Sequence, residues 1–219
     1  MSKTLAAAAA VLAVLGALTA GPIGTAHAAE PAVLGGGSGI LVDGATCTLT
    51  TIGHDAAGRL VGLTAAHCGP EGASIVAETN AEAGTVGTVG YRSEAMDYSV
   101  ITFDPAVVVP VNRVGNTTIT GVGGPAQFPD IACKEGRSTA QTCGLAYGDP
   151  LESGIATLTQ ICVVSGDSGG PVVVGSTLVG MVNGYVYVPC LGPEVGMNIT
   201  AILADIDGRG DLGAGFRPI

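Results

Sequence analysis

The chain has 219 residues, a formal net charge of −10, and 8 lysines and arginines against 18 aspartates and glutamates. That balance disfavours nucleic acid and anionic membrane as partners. With 36 glycines, no tryptophan and only 12% charged residues, the composition favours short strands and tight turns over long helices.

The first 28 residues read as an export signal. Lys3 supplies a positive start, an Ala/Leu/Val run follows from Leu5 to about Ala20, and Ala26-His27-Ala28 is a small-x-small cleavage site. The run is short and lacks a stop-transfer flank, so no membrane attachment is expected once it is removed. The rest is long enough for one large all-β domain or two small barrels. A secreted, extracellular, monomeric protein of bacterial style is expected.

Strand signals follow in order: Gly39–Val42, Leu60–Leu63, Gly84–Val89, Ser99–Phe103 and Val107–Val111, each bounded by Gly, Pro or Asp. Residues 105–122 can link two halves. The second half repeats the style at Val172–Val174, Leu178–Val182 and Tyr185–Val188. One helix is expected over Asn198–Ile206, where Ile199, Ile202, Leu203 and Ile206 fall at helical spacing and Gly208 follows as a stop. Gly210–Ile219 reads as a loose tail. The division is then 1–28 signal, 29–115 first unit, 116–197 second unit, and 198–219 helix and tail.

Six cysteines in an exported chain imply three disulfides, with 15 connectivities open. Pairing sequence neighbours would join Cys47 to Cys68, Cys133 to Cys143 and Cys162 to Cys190. No C-x-x-C spacing occurs, and only His54 and His67 lie beyond the signal. No metal and no cofactor are expected.

The stretch with chemistry in it is Cys162-Val-Val-Ser-Gly-Asp-Ser-Gly-Gly-Pro171. Its glycines allow backbone shapes closed to other residues. A serine held on such a turn can present its hydroxyl and aim its N–H, as a nucleophile beside an oxyanion hole requires. Serine needs a base, and the base needs an orienting acid. His67 ends an apolar strand, Leu63-Thr-Ala-Ala-His67, beside Cys68; His54 reads as a solvated loop residue. The loose G-x-S-x-G around Ser168 would suit an α/β-hydrolase, but that plan needs a histidine after the serine, and none exists. The order Asp, His, Ser belongs to another α/β fold. The order His, Asp, Ser remains in a β-rich chain. Asp97, where a loop enters an apolar strand, is preferred to Asp104, which precedes Pro105 at a turn.

Thr64-Ala-Ala-His-Cys68, Asp97-Tyr-Ser-Val-Ile101 and Gly166-Asp-Ser-Gly-Gly-Pro171 resemble the three catalytic signatures of chymotrypsin-like serine proteases. Cys133–Cys143, and Cys162 six residues before Ser168, resemble the bacterial branch of streptogrisins and α-lytic protease. The resemblance covers about residues 38–206. It implies two antiparallel six-stranded β-barrels with a C-terminal helix and an active site between them. It implies His67 as base, Asp97 as its orienting acid and Ser168 as nucleophile, with the N–H groups of Gly166 and Ser168 as the oxyanion hole. It implies an Arg137–Asp167 ion pair and a Cys162–Cys190 tie.

The strand bordering a polypeptide substrate would include Asn183, Gly184 and Tyr185. Relatives usually carry serine near position 183 and often glycine near 185, so Tyr185 would narrow or block the primary pocket. Gln160 lies about where trypsin-like enzymes place a pocket aspartate, so a small or medium apolar side chain is expected there instead. The leading expectation is a secreted serine endopeptidase. The alternatives are a catalytically silent binding protein on the same fold, and a restricted esterase or processing enzyme.

Overall fold

The computed structural model describes residues 29–150 and 152–219; the segment expected to be an export signal, 1–28, lies outside the described residues. Strands dominate because the chain alternates short Val/Ile/Leu/Thr runs with glycine-marked turns.

The first half forms β1 (Gly39–Val42), β2 (Ala45–Thr48), β3 (Thr51–His54), β4 (Leu60–Thr64), β5 (Ser74–Ala77), β6 (Thr85–Ser93) and β7 (Tyr98–Phe103). Their order in the sheet is β3-β4-β7-β6-β5-β1-β2. The two ends, β2 and β3, are consecutive in the chain, parted only by Leu49 and Thr50. One bent stretch therefore joins both sheet ends and curls the sheet into a half-barrel, with no pairing of β2 to β3 among the described residues.

The second half forms β8 (Ile131–Gly136), β9 (Ala140–Gly148), β10 (Ala156–Thr159), β11 (Pro171–Val174), β12 (Thr177–Tyr185) and β13 (Glu194–Asn198). The order β12-β11-β8-β9-β10-β13 closes by pairing β13 back to β12, making a six-stranded barrel. The double barrel with one C-terminal helix matches the fold expected from the sequence.

Helix α1 (Ile199–Arg209) buries Ile199, Ile202 and Ile206, the apolar stripe of its 3.6-residue period. It runs past Gly208 and ends at Gly210, whose φ of +69° supplies the left-handed cap. Ile202 and Ile206 join a core cluster that takes Leu34, Ile40, Leu63 and Tyr98 from the first half and Leu178 and Met181 from the second. One apolar core thus grips both barrels. A second, smaller cluster of Ala132, Ala146, Ile161, Val163, Val172 and Val182 fills the second barrel.

Two expectations fail here. The tail is not loose: Arg217 and Pro218 pair with His54 and Gly53, covering the edge of β3. Tyr185–Val188 is not a strand of its own, because β12 ends at Tyr185 and the chain then turns through exposed Tyr187 and Leu191. Among the described residues no helix is long and apolar enough to cross a membrane.

Candidate active site

A 3-10 turn, Ala66–Cys68, follows β4 and carries His67. Buried Ala66 and Cys68 flank it, and a Cys47–Cys68 disulfide ties the turn to β2. Asp97 stands just before β7 with φ at +46°, a left-handed conformation that aspartate tolerates better than most residues. Its Oδ1 accepts the His67 backbone N–H at 2.9 Å, and its Oδ2 lies 2.8 Å from His67 Nδ1. Two contacts to one residue fix both the position and the ring orientation of the imidazole. Asn183, on β12 of the other barrel, adds a third donor. Its Nδ2 reaches Asp97 Oδ2 at 2.9 Å and the Asp97 carbonyl at 2.8 Å, while its Oδ1 accepts the Met197 N–H.

The titration of the pair follows. The hydrogen bond from Asp97 raises His67 above its ordinary value, against the effect of burial. Burial alone would raise Asp97, but the hydrogen bonds from His67 and Asn183 outweigh it and hold the carboxyl below the usual range. An imidazole whose Nδ1–H is held by a carboxylate presents Nε2 as a proton acceptor.

Ser168 sits on the loop before β11. The first barrel holds that loop by its backbone. The Thr48 N–H donates to the Ser168 carbonyl at 2.8 Å, Thr48 Oγ1 to the Gly166 carbonyl at 2.8 Å, and Thr50 Oγ1 to the Gly169 carbonyl at 2.6 Å. Those three bonds fix the carbonyls, and with them the peptide planes of the loop. Among the described residues, the N–H groups of Gly166 and Ser168 donate to no protein acceptor. Glycine is required at 166 and 169, where φ is +94° and +82°. A Cβ at 166 would collide with Ser138 Oγ, and one at 169 with Thr64 Oγ1. No hydrogen bond joins His67 to Ser168 among the described residues; such bonds often form only with substrate in place.

A pocket of about 150 Å³ opens beside Ser168. Val163, Val164, Val182, Asn183, Gly184 and Tyr185 line it, and the Cys162–Cys190 disulfide ties one wall to the loop beyond the other.

Known structures share this fold. No family model and no curated protein matches the sequence. The structure is similar to a Nocardiopsis protease at TM-score 0.68 and 21% identity, over 80% of this chain and 96% of that one. It is similar to Thermobifida fusca protease A at TM-score 0.70 and 21% identity, over 86% of this chain and 100% of that one. A Cellulomonas bogoriensis chymotrypsin matches at TM-score 0.66 and 24% identity, over 86% of this chain and 99% of that one.

The chain has the chymotrypsin-like fold of these bacterial serine proteases.

Within that fold the pairs expected from sequence are partly redistributed. The three disulfides join sequence neighbours, Cys47–Cys68, Cys133–Cys143 and Cys162–Cys190. The Arg137–Asp167 pair does not form. Arg137 instead forms an ion pair with Glu78 across the barrels, both side chains partly exposed. The charge near Asp167 is Lys134, 3.7 Å away, and both side chains are fully buried. Thr139 stands between them: its hydroxyl donates to Asp167 Oδ2 at 2.6 Å and receives a Lys134 Nζ–H. The backbone N–H groups of Ser138, Thr139 and Val164 complete the shell of Asp167. Burial pushes the Lys134 ammonium down, while the charges of Asp167 and Glu135 act to keep it protonated. The physical reason for the exchange is reach. Lys134 extends inside the hairpin to its turn, where it also donates to the Ala140 carbonyl at 2.6 Å. Arg137, at the tip, has an exposed carboxylate to meet.

Gln160 is also corrected. It does not line the pocket, because its side chain turns outward to the Tyr147 hydroxyl at 2.9 Å and the Leu191 carbonyl at 3.2 Å. Tyr185 borders the pocket as a wall, 40% exposed, and leaves it open. Thr48, Thr50, Lys134 and Thr139 were not legible as site residues. The alternation of Thr48 and Thr50 about buried Leu49, directly after Cys47, is the signal that could have found the first two. Among the described residues no cluster of three or more His, Cys, Asp or Glu side chains could hold a metal ion.

Proposed function

We propose that the protein is a secreted serine endopeptidase. The observation that carries this reading is His67, bound twice by Asp97, on one side of a cleft whose other side presents Ser168, with its own N–H and that of Gly166 free to donate. In this reading His67 Nε2 takes the Ser168 hydroxyl proton as Oγ attacks the peptide carbonyl, then delivers it to the leaving amine. Asp97 holds the tautomer and stabilises the imidazolium, and water repeats the cycle to release the acyl group. The N–H groups of Gly166 and Ser168 receive the charge that develops on the carbonyl oxygen. One such donor is typically worth about 3 kcal/mol in the transition state.

The substrate chain would pair with residues 183–185. β12 is bonded to β13 there on one side only, because its pairing with β11 stops at Met181. The valine-lined pocket favours a small or medium aliphatic side chain before the scissile bond, since no charged group faces it to pair with lysine or arginine.

The test is labelling with a fluorophosphonate probe of the secreted wild type, Ser168→Ala and His67→Ala. Labelling confined to wild type and mapped to Ser168 is the expected result. A folded, fully disulfide-bonded wild type that takes no label would overturn the reading in favour of a silent binding protein. Ester turnover without peptide turnover would make it an esterase.

A further inference from the structure

The interior of the second barrel holds an acid that the proposed reaction does not use. Glu194, the first residue of β13, is fully buried. Its Oε2 accepts a hydrogen bond from Thr159 Oγ1 at 2.6 Å. Its Oε1 is equally buried and has no partner among the described residues. Oε1 faces Gly196, where a Cβ would stand 2.7 Å away. Beside it lies a cavity of about 10 Å³, lined by Thr157 and Thr159 of β10, Asn198 of β13, Val172 of β11 and Gly180 of β12.

No charged side chain borders this space from any packed strand. β10 contributes the two threonine hydroxyls, β11 and β12 contribute apolar side chains or glycine, and Ala126 closes it from the preceding segment. The titratable residue nearest in register is Tyr185, which pairs with Glu194 across β12. A carboxylate there would lose its hydration with no cation and one hydroxyl in return. Burial accordingly pushes Glu194 up to about 8 from 4.5, and the Thr159 bond offsets only part of it.

We propose that Glu194 is held as the neutral carboxylic acid and that its free oxygen binds one internal water molecule in this cavity. The cavity has room for about one water, and such a water needs two to four polar partners. The donors and acceptors close. Thr159 donates to Oε2, so the acid proton on Oε1 points to the water. Thr157 already donates to Asn198 Oδ1 at 2.6 Å, and its oxygen keeps lone pairs to accept from that water. Asn198 is committed elsewhere, with Nδ2 on the Gly154 carbonyl at 3.1 Å. The water thereby links β10 to β13, paired neighbours in the barrel wall. None of this depends on whether the protein turns over a substrate.

The experiment is unfolding of wild type and Glu194→Gln between pH 4 and pH 9, the amide keeping the shape without the titration. Below 4.5 both folded and unfolded glutamate carry the proton. Between 4.5 and about 8 the unfolded state loses it and the folded state keeps it, so wild type loses stability as pH rises. Above about 8 the difference is constant. The unfolding constant of wild type relative to the variant rises about tenfold per pH unit within that window. Parallel curves would overturn the neutral acid. Should the variant not fold, infrared spectra of wild type alone decide the same point. A protonated-carboxyl band at pH 6 that disappears above the window supports it, and no such band overturns it. A high-resolution crystal structure decides the water: density within hydrogen-bond distance of Oε1 and Thr157 Oγ1 is expected, and an empty cavity would overturn that half of the proposal.

Discussion

The two sides of the cleft hold an aspartate by opposite means. Asp97, in the first barrel, keeps 29% of its side chain exposed and is bound by donors that include the ionisable His67. Asp167, in the second, is fully buried and bound by three backbone N–H groups and a threonine hydroxyl, with Lys134 behind them. A carboxylate meant to answer a change of charge on its partner stays near water, where that partner can titrate. A carboxylate meant to hold backbone shape is locked among groups that do not titrate near neutrality. Removing a partner should therefore cost chemistry on one side and folding on the other.

The largest effect falls on the first side. Asp97→Asn should lower kcat about 10⁴-fold, roughly 5.5 kcal/mol of transition-state stabilisation, with little loss of fold. The pH profile gives a second reading of the same variant. Asp97 raises His67, and protonated His67 cannot accept a proton, so wild-type kcat/KM should climb with pH through a midpoint above 6.5. In the variant that midpoint should fall. A midpoint that stays in place would separate His67 from Asp97 in function despite their contact.

On the second side the expected loss is of stability. Lys134→Met removes the buried cation and leaves Asp167 charged in the interior, which typically costs about 3–5 kcal/mol. Denaturant unfolding at neutral pH measures it. A variant as stable as wild type would mean that the N–H groups and Thr139 satisfy Asp167 without a cation.

The first side was legible in the sequence because each of its residues is placed by its immediate neighbours. His67 ends an apolar strand beside a cysteine, and Asp97 opens one. The second side was half legible. Gly166, Ser168 and Gly169 announce a turn with special backbone, but the partner of Asp167 is set by which face of β8 a side chain takes. Lys134 lies two residues from buried Ala132 and so shares its inward face. Charged Lys134, Glu135 and Arg137, close together, hide that alternation in the sequence. The tail failed for a similar reason: a glycine-rich segment gives no local sign that Arg217 and Pro218 will pair with β3, over 160 residues earlier in the chain.

The smallest effect sharpens the contrast most. Arg137 and Lys134 sit on the same hairpin, three residues apart, and each faces a carboxylate. Arg137 meets Glu78 at the surface, with 27% and 32% of their side chains exposed. A pair so placed is screened by water and salt, so Arg137→Ala should cost under about 1 kcal/mol, and less still at about 1 M salt. Asp167 also acts on Arg137 at a distance and favours its charge. If Arg137→Ala instead destabilised as strongly as Lys134→Met and ignored salt, the guanidinium would have to reach Asp167 in solution, restoring the pair expected from the sequence. A small, salt-sensitive loss leaves Lys134 as the cation that holds the oxyanion loop.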